Sequence, residues 1–212
     1  AQVAYVRMAA AQGDPDRLGA LYVGSIRLLA LAIFPPMAVL AGAGGDLFAF
    51  LFSEPWRQVG LLFALAAPGF ALESAVATAG VMFQAVNRTG LRLRMVAERT
   101  VLRLLAIALA LPFGVAGVAT ALSVFVLAYT PRYWAYAHRA APFDRRAAVA
   151  AMGVTTAVSA AAWGATYIYV ASGADGGWAI LGWAAAVLGV AWGLAAGLQC
   201  RQLHAGLADF GR

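Results

Sequence analysis

Hydrophobic residues fill most of the chain in long runs, and short polar segments separate these runs. Each run reaches or approaches the roughly 20 apolar residues with which a helix crosses a hydrocarbon layer. The pattern predicts six membrane spans, at residues 21–40, 59–86, 95–111, 115–136, 147–170 and 178–199. We therefore expect an all-α fold, a polytopic bundle of six transmembrane helices.

Several positions mark where these helices begin or bend. Asp14 is placed to cap the free N–H groups of the first helix. Pro35 and Pro36 interrupt the first span and remove two backbone donors, so a kink or break is expected there, either a hinge or a bent helix end. Pro68 and Gly69 form a second candidate hinge in the second span.

Composition strengthens the membrane interpretation. The 212 residues are 63% hydrophobic and only 11% charged, whereas soluble domains carry about 25% charged residues. All 15 basic residues are arginine, and most lie in the short loops between apolar runs. That placement is typical of a topology signal and not of a surface that follows nucleic-acid phosphates.

The arginines are divided unequally between alternate loops. One set of loops, with both chain ends, holds Arg7, Arg17, Arg88, Arg92, Arg94, Arg132, Arg139, Arg145, Arg146, Arg201 and Arg212. The other set holds Arg57 with the acidic residues Asp46, Glu54 and Asp175. Because arginine accumulates on the cytoplasmic side, both ends of this chain are predicted to be cytoplasmic. An even number of spans agrees with this result, because it puts both ends on the same side.

Motifs for enzymatic chemistry do not stand out. The sequence shows no nucleophile with a matching base, no metal-ligand spacing and no phosphate-binding glycine loop. His138 and His204 fall in predicted cytoplasmic segments, and Cys200 has no neighbouring ligands. We expect neither a catalytic residue, nor a cofactor, nor a metal.

Charged residues inside the spans are the candidate site. Glu73 lies ~20 Å from either end of its helix, and Arg99 and Arg103 lie one turn apart in the third span. One interpretation is that Glu73 and Arg103 neutralise each other and fix helix register. The other is that Arg27, Arg99 and Arg103 line a water-filled cavity for an anionic substrate, with Glu73 as the proton-coupling residue.

Five short motifs occur in order along residues 1–140. They are Gly13-Asp14-Pro15-Asp16-Arg17-Leu18, Phe34-Pro35, Leu51-Phe52-Ser53-Glu54-Pro55-Trp56, Gln84-Ala85-Val86-Asn87-Arg88 and Phe113-Gly114-Val115-Ala116-Gly117-Val118-Ala119. In these motifs the chain resembles the C-terminal half of polysaccharide-biosynthesis flippases. Their superfamily also contains multidrug exporters and lipid II flippases. Val6, Ser53 and Asn87 depart from the family pattern, and the last two helices fit by number and hydropathy alone.

The resemblance implies a domain organisation and a function. Residues 1–17 would be a cytoplasmic segment, 18–140 the four-helix part of the C-lobe of a fourteen-helix transporter, and 141–212 two further helices with a cytoplasmic tail. Because the sequence starts without Met or a signal peptide, we expect an N-terminal lobe that precedes it. Such transporters move an undecaprenyl-pyrophosphate-linked oligosaccharide across the bacterial inner membrane by alternating access.

Other functions remain open at this stage. A multidrug or cation antiporter of the same superfamily would need several acidic residues in its cavity, and the spans offer Glu73. A membrane-embedded glycan polymerase or ligase tends to need a large extracytoplasmic loop, and the loops predicted on that side are short. A passive membrane scaffold would be favoured if the charges inside the spans proved dispensable. Expected partners are the lipid-linked oligosaccharide, membrane lipids and the N-terminal lobe, and not nucleic acid.

Overall fold

The computed structural model describes residues 7–173 and 176–211, with side chains up to residue 200, and all regular secondary structure in this part is helical. The helices are α1 Pro15–Phe52, α2 Arg57–Val76, α3 Ala79–Ala85, α4 Thr89–Ala110, α5 Gly114–Ala140, α6 Arg145–Ala171 and α7 Gly177–Gly211. Short 3-10 turns at Glu54–Trp56 and Leu111–Phe113 join α1 to α2 and α4 to α5. The predictions for Val6, Asp175 and Arg212, and for the side chains of Arg201 and His204, lie outside this description.

Five of the described helical segments are long and apolar enough to cross a membrane, which makes this a multi-pass membrane protein with the predicted all-α fold. One of them, Thr89–Ala140, contains both α4 and α5. These two helices fold back on each other and are in contact. The Tyr129 hydroxyl of α5, for example, donates to the Met95 carbonyl of α4 at 3.3 Å. The count of six crossings therefore stays a prediction.

The first helix begins as predicted. The Asp14 side chain accepts a hydrogen bond from the Arg17 backbone N–H at 3.0 Å, which satisfies one of the free donors of the first turn. Pro15 occupies the first helical position, where its missing N–H has no cost.

The predicted break at Pro35 and Pro36 is absent, because α1 is helical across both residues, and a kink or hinge there stays a prediction. Pro35 has no N–H to donate to the carbonyl of Leu31, four residues earlier. The indole N–H of Trp192, on α7, donates to that carbonyl instead, at 2.9 Å. A neighbouring helix thus satisfies the group that proline frees, as tolerated prolines in membrane helices require.

The bend in α1 occurs at Gly44, where φ is 59° and ψ is −150°. Positive φ is accessible to glycine because it lacks a Cβ atom. At this bend α1 and α2 approach each other at backbone distance: a Cβ atom added to Gly60 would collide with the Gly44–Gly45 backbone. The short apolar segment at residues 47–52, which lies outside the predicted spans, is the last part of this bent helix.

Helix α1 lies at the centre of the fold and contacts α2, α6 and α7, whereas α5 contacts α2, and α4 contacts α5. The largest apolar core surrounds the first half of α1, where Tyr22, Met82 and Phe83 are fully buried. The Tyr22 hydroxyl donates to the Val76 carbonyl at 3.4 Å. This core holds the end of α2, and with it Glu73, against the rest of the bundle.

Candidate functional site

The structure brings Glu73 of α2 together with Arg99 and Arg103 of α4, a group that we call the charged cluster. Arg99 Nη2 pairs with Glu73 Oε1, and Arg103 Nη1 lies 3.7 Å from the same oxygen. The two arginines are four residues apart, so they project from one face of α4. The predicted contact between Arg103 and Glu73 is present, and Arg99 also pairs with Glu73.

The carboxylate of the charged cluster is only half satisfied. Oε1 takes both guanidiniums, whereas Oε2 is buried and accepts no hydrogen bond from the described residues. The side chains of Glu73 and Arg99 are each 26% exposed, and that of Arg103 is 32% exposed. An ion pair with a purely structural role gains most when additional hydrogen bonds satisfy its remaining lone pairs. In the charged cluster, Oε2 of Glu73 has no hydrogen-bond donor among the described residues.

A cavity of about 170 Å³ adjoins the charged cluster and is lined by residues 73–80, α4 and α5. That volume is about ten times the minimum that holds one water molecule. Its polar lining consists of Glu73, Arg92, Arg99, Tyr129, Thr130 and Tyr133. The cavity therefore combines guanidinium groups and phenol hydroxyls with a single carboxylate.

Arg92 is a lining residue that the sequence analysis placed only among the loop arginines. It lies on α4, seven residues before Arg99 and eleven before Arg103. Spacings of seven and eleven keep residues on one helical face. This spacing was the signal in the sequence that could have grouped Arg92 with Arg99 and Arg103.

Two tyrosines complete the lining on the side of α5. Tyr129 and Tyr133 are each 6% exposed and lie one helical turn apart. Because tyrosine counts among the hydrophobic residues of a span, nothing in the sequence pattern separates these two from the apolar positions around them. In the structure they give the cavity two aromatic rings with hydroxyl groups.

Of the three arginines predicted to line the cavity, Arg99 does so, whereas Arg103 contacts Glu73 beside the cavity without lining it. Arg27 does not share this cavity either. It lies partly buried on α1, and the lining residues all belong to the stretch from α2 to α5. The prediction that Arg27 joins Arg99 and Arg103 rested on similar depth in the membrane. Depth fixes the position along a helix but not which of its neighbours the residue faces.

Pro68 and Gly69 lie one turn before Glu73, and α2 is continuous across them. The Gly69 N–H donates to Ser123 Oγ of α5 at 3.2 Å, and Ser123 Oγ lies 2.6 Å from the Leu65 carbonyl, to which it donates. The serine hydroxyl thus contacts an N–H group and a carbonyl of the same helical turn of α2. Sequence analysis found the candidate hinge but not the serine that holds it.

Glu98 shows what a satisfied carboxylate looks like in the same hairpin. Its Oε1 pairs with Arg132 Nε, and its Oε2 accepts from Arg132 Nη2 at 3.0 Å and from the Tyr136 hydroxyl at 2.6 Å. Arg94, four residues earlier on the same helix, would be the local partner expected from the sequence, but α5 folds back beside α4 and supplies Arg132 instead. Glu98 does not line the cavity.

A larger cavity, of about 430 Å³, lies at the far end of α1. Its charged residues Asp46, Glu54 and Arg57 are exposed, and Arg57 pairs with both acids. Exposed ion pairs of this kind contribute little and are common at protein surfaces. The charged cluster is the stronger candidate, because it lies within helical segments that are long and apolar enough to cross a membrane, where ionisable groups are costly.

Comparisons of the chain with protein-family models, with curated proteins and with solved structures find no match. The fold and the site therefore define the class by themselves: a multi-pass, all-α membrane protein with a cationic cavity beside a half-satisfied carboxylate.

Proposed function

We propose that this chain is the C-terminal lobe of a flippase that moves an undecaprenyl-pyrophosphate-linked oligosaccharide across the bacterial inner membrane. The observation that carries the proposal is the excess of cations at the cavity. Arg92 and Arg99 line the cavity, and Arg103 lies beside it in the charged cluster, so that three guanidiniums stand against the one carboxylate of Glu73. A cavity of that charge favours an anion.

A phosphate-type anion suits these groups better than other anions of similar charge. Guanidinium is planar and binds two phosphate oxygens at once through parallel N–H groups. Tyr129 and Tyr133 add hydroxyl groups beside the arginines. The pyrophosphate that joins lipid and oligosaccharide carries this chemistry, and the glycan itself would extend beyond the cavity.

Alternating access needs helices that change their bend, and α2 offers a place for it. The turn at Pro68 and Gly69 is held by one hydroxyl of α5 and lies directly before Glu73. In the proposed cycle an N-terminal lobe covers the open side of the cavity, and rocking of the two lobes exposes it first to the cytoplasm and then to the periplasm. Glu73 carries the coupling proton.

The alternative of a multidrug or cation antiporter fits the cavity less well. A cationic substrate would be repelled by the surplus guanidiniums, and the single carboxylate of the described lining is already paired with Arg99. A glycan polymerase or ligase remains the alternative from another class. Both alternatives predict that a phosphate-type anion is not transported.

The double variant Arg99→Ala/Arg103→Ala tests the proposal. Each charge-assisted hydrogen bond to phosphate contributes about 1.5–3 kcal/mol, so losing both should weaken substrate binding at least about a hundredfold. We expect this variant to lose complementation of a flippase-deficient strain, read out as surface glycan.

The matched control is Arg94→Ala/Arg139→Ala, which removes two exposed guanidiniums from α4 and α5 outside the cavity. It should retain complementation, and both variants should reach the membrane fraction in wild-type amounts. Normal glycan export by Arg99→Ala/Arg103→Ala would refute the proposed substrate site.

A further inference from the structure

Glu73 pairs with the arginines that the proposed function assigns to a phosphate-type anion. One of its oxygens takes Arg99 and Arg103 together. Phosphate oxygens and carboxylate oxygens are interchangeable partners for guanidinium, because both present negative charge on oxygen in a planar or near-planar pair. A phosphate that entered the adjoining cavity would meet Arg99 already engaged.

The contrast with Glu98 indicates that this engagement is not a closed structural ion pair. Both oxygens of Glu98 accept hydrogen bonds, from Arg132 and Tyr136. Glu73 uses one oxygen and leaves Oε2 buried without a donor among the described residues. A carboxylate selected to lock two helices would be expected to resemble Glu98.

The position of the charged cluster supports the same view. Arg99 lies both in the ion pair and on the cavity wall, next to Arg92. From α5 the titratable groups that face the cavity are Tyr129 and Tyr133, and neither carries the opposite charge. A ligand that reached Arg92 would compete directly with Glu73 for Arg99.

We propose that Glu73 is an internal competitor of the anionic ligand: it occupies Arg99 and Arg103 in the empty site and is displaced when a phosphate-type anion binds. This rests on the proposed function, since it concerns the same cavity. It means that ligand affinity is set below the value that the guanidiniums alone would give. Release of the ligand is then assisted by the returning carboxylate, which keeps a strongly cationic site from trapping its substrate.

The competitor role and a structural role differ in the direction in which a substitution of Glu73 changes anion affinity. Removing the negative charge of Glu73 should free both guanidiniums and strengthen anion binding. If Glu73 only positioned Arg99 and Arg103, its loss would weaken binding, because the arginines would lose their fixed orientation. The two accounts therefore predict opposite changes from one substitution.

The experiment measures binding of inorganic pyrophosphate by isothermal titration calorimetry to the full chain, purified in detergent. We expect Glu73→Gln to bind pyrophosphate about tenfold more tightly than the wild type, within the range typical of coupled sites. Glu73→Asp keeps the charge on a shorter side chain and should show a smaller gain. Glu98→Gln, which removes a paired carboxylate of α4 outside the cavity, is the matched control and should bind as the wild type does.

A second arm identifies the source of the anion. Farnesyl pyrophosphate presents the same diphosphate on a lipid chain, and a lipid-linked ligand should show the same gain with Glu73→Gln. Unchanged or weaker binding of both probes by Glu73→Gln and Glu73→Asp, with binding by the wild type intact, would overturn the competitor role and leave the proposed function standing. No binding of either probe by any variant would overturn both. Wild-type elution in size-exclusion chromatography certifies that each variant is folded.

Discussion

Glu73 is the residue on which coupling to a proton gradient depends in the proposed cycle. A carboxylate at bilayer depth that faces a cavity is the usual proton carrier of membrane transporters. We predict that Glu73→Gln, reconstituted in proteoliposomes, transports the lipid-linked substrate at a rate independent of the imposed pH gradient. The wild type and Glu98→Gln should both respond to the gradient. A Glu73→Gln protein that responds as the wild type does would refute the coupling role.

Single residues of the site were predictable where their chemistry contradicts their surroundings. Glu73, Arg99 and Arg103 stand out because each is a charge within an apolar run. Arg92 lies near the end of the run, where arginine also serves as a topology signal, and the two roles look alike in a sequence. Tyr133 suits an apolar helix as well as a cavity wall. Only the packing of α5 against α2 and α4 shows that it lines the cavity.

At the scale of helices, the contact between α2 and α5 is the most sensitive point near the site. A Cβ atom added to Gly69 would lie 2.5 Å from Ser123 Cα and 2.9 Å from its Oγ. We predict that Gly69→Ala forces the two helices apart and lowers the free energy of unfolding by about 1–3 kcal/mol. Unfolding of the purified protein in SDS, followed by circular dichroism, measures this.

The control for that substitution is Gly153→Ala in α6. A Cβ atom at Gly153 meets no atom within 4 Å, and alanine is favoured over glycine inside a helix by about 0.5–1 kcal/mol. Gly153→Ala should therefore be neutral or slightly stabilising. Equal effects of the two substitutions would show that the contact between Gly69 and Ser123 does not hold α2 in place.

Helix boundaries followed from the sequence more reliably than helix bends. The cap at Asp14 depends on local hydrogen bonds, which the neighbouring residues determine. The continuity of α1 through Pro35 depends on Trp192, which is distant in sequence and reaches Leu31 only in the folded bundle. The actual bend at Gly44 likewise depends on its contact with Gly60. Bends are tertiary features, so local preference alone misplaces them.

At the scale of the whole molecule, the loops separate into two ends of the bundle. The Gln12 side chain donates to the Ala85 carbonyl at one end. At the other end Arg57 pairs with Asp46, and further along the same end the Phe50 and Trp178 rings lie 5.3 Å apart. The alternation of the loops between the two ends was predictable, because successive membrane spans run in opposite directions. Which end faces the cytoplasm follows from the arginine distribution as a prediction.

The hairpin of α4 and α5 decides whether the charged cluster lies at bilayer depth. If both helices cross the membrane, the turn that contains Phe113 emerges on the periplasmic side, as Trp178 does, and Glu73 lies near the midplane. In a background with Cys200→Ser, we predict that Phe113→Cys and Trp178→Cys react with a membrane-impermeant thiol reagent in intact cells. Phe113 and Trp178 are 76% and 77% exposed, so the described residues leave each position uncovered. Arg139→Cys, at the opposite end, should react only after permeabilisation.

Labelling of Phe113→Cys only in permeabilised cells would mean that the hairpin does not cross, and the cavity would then open at the membrane surface instead of within it.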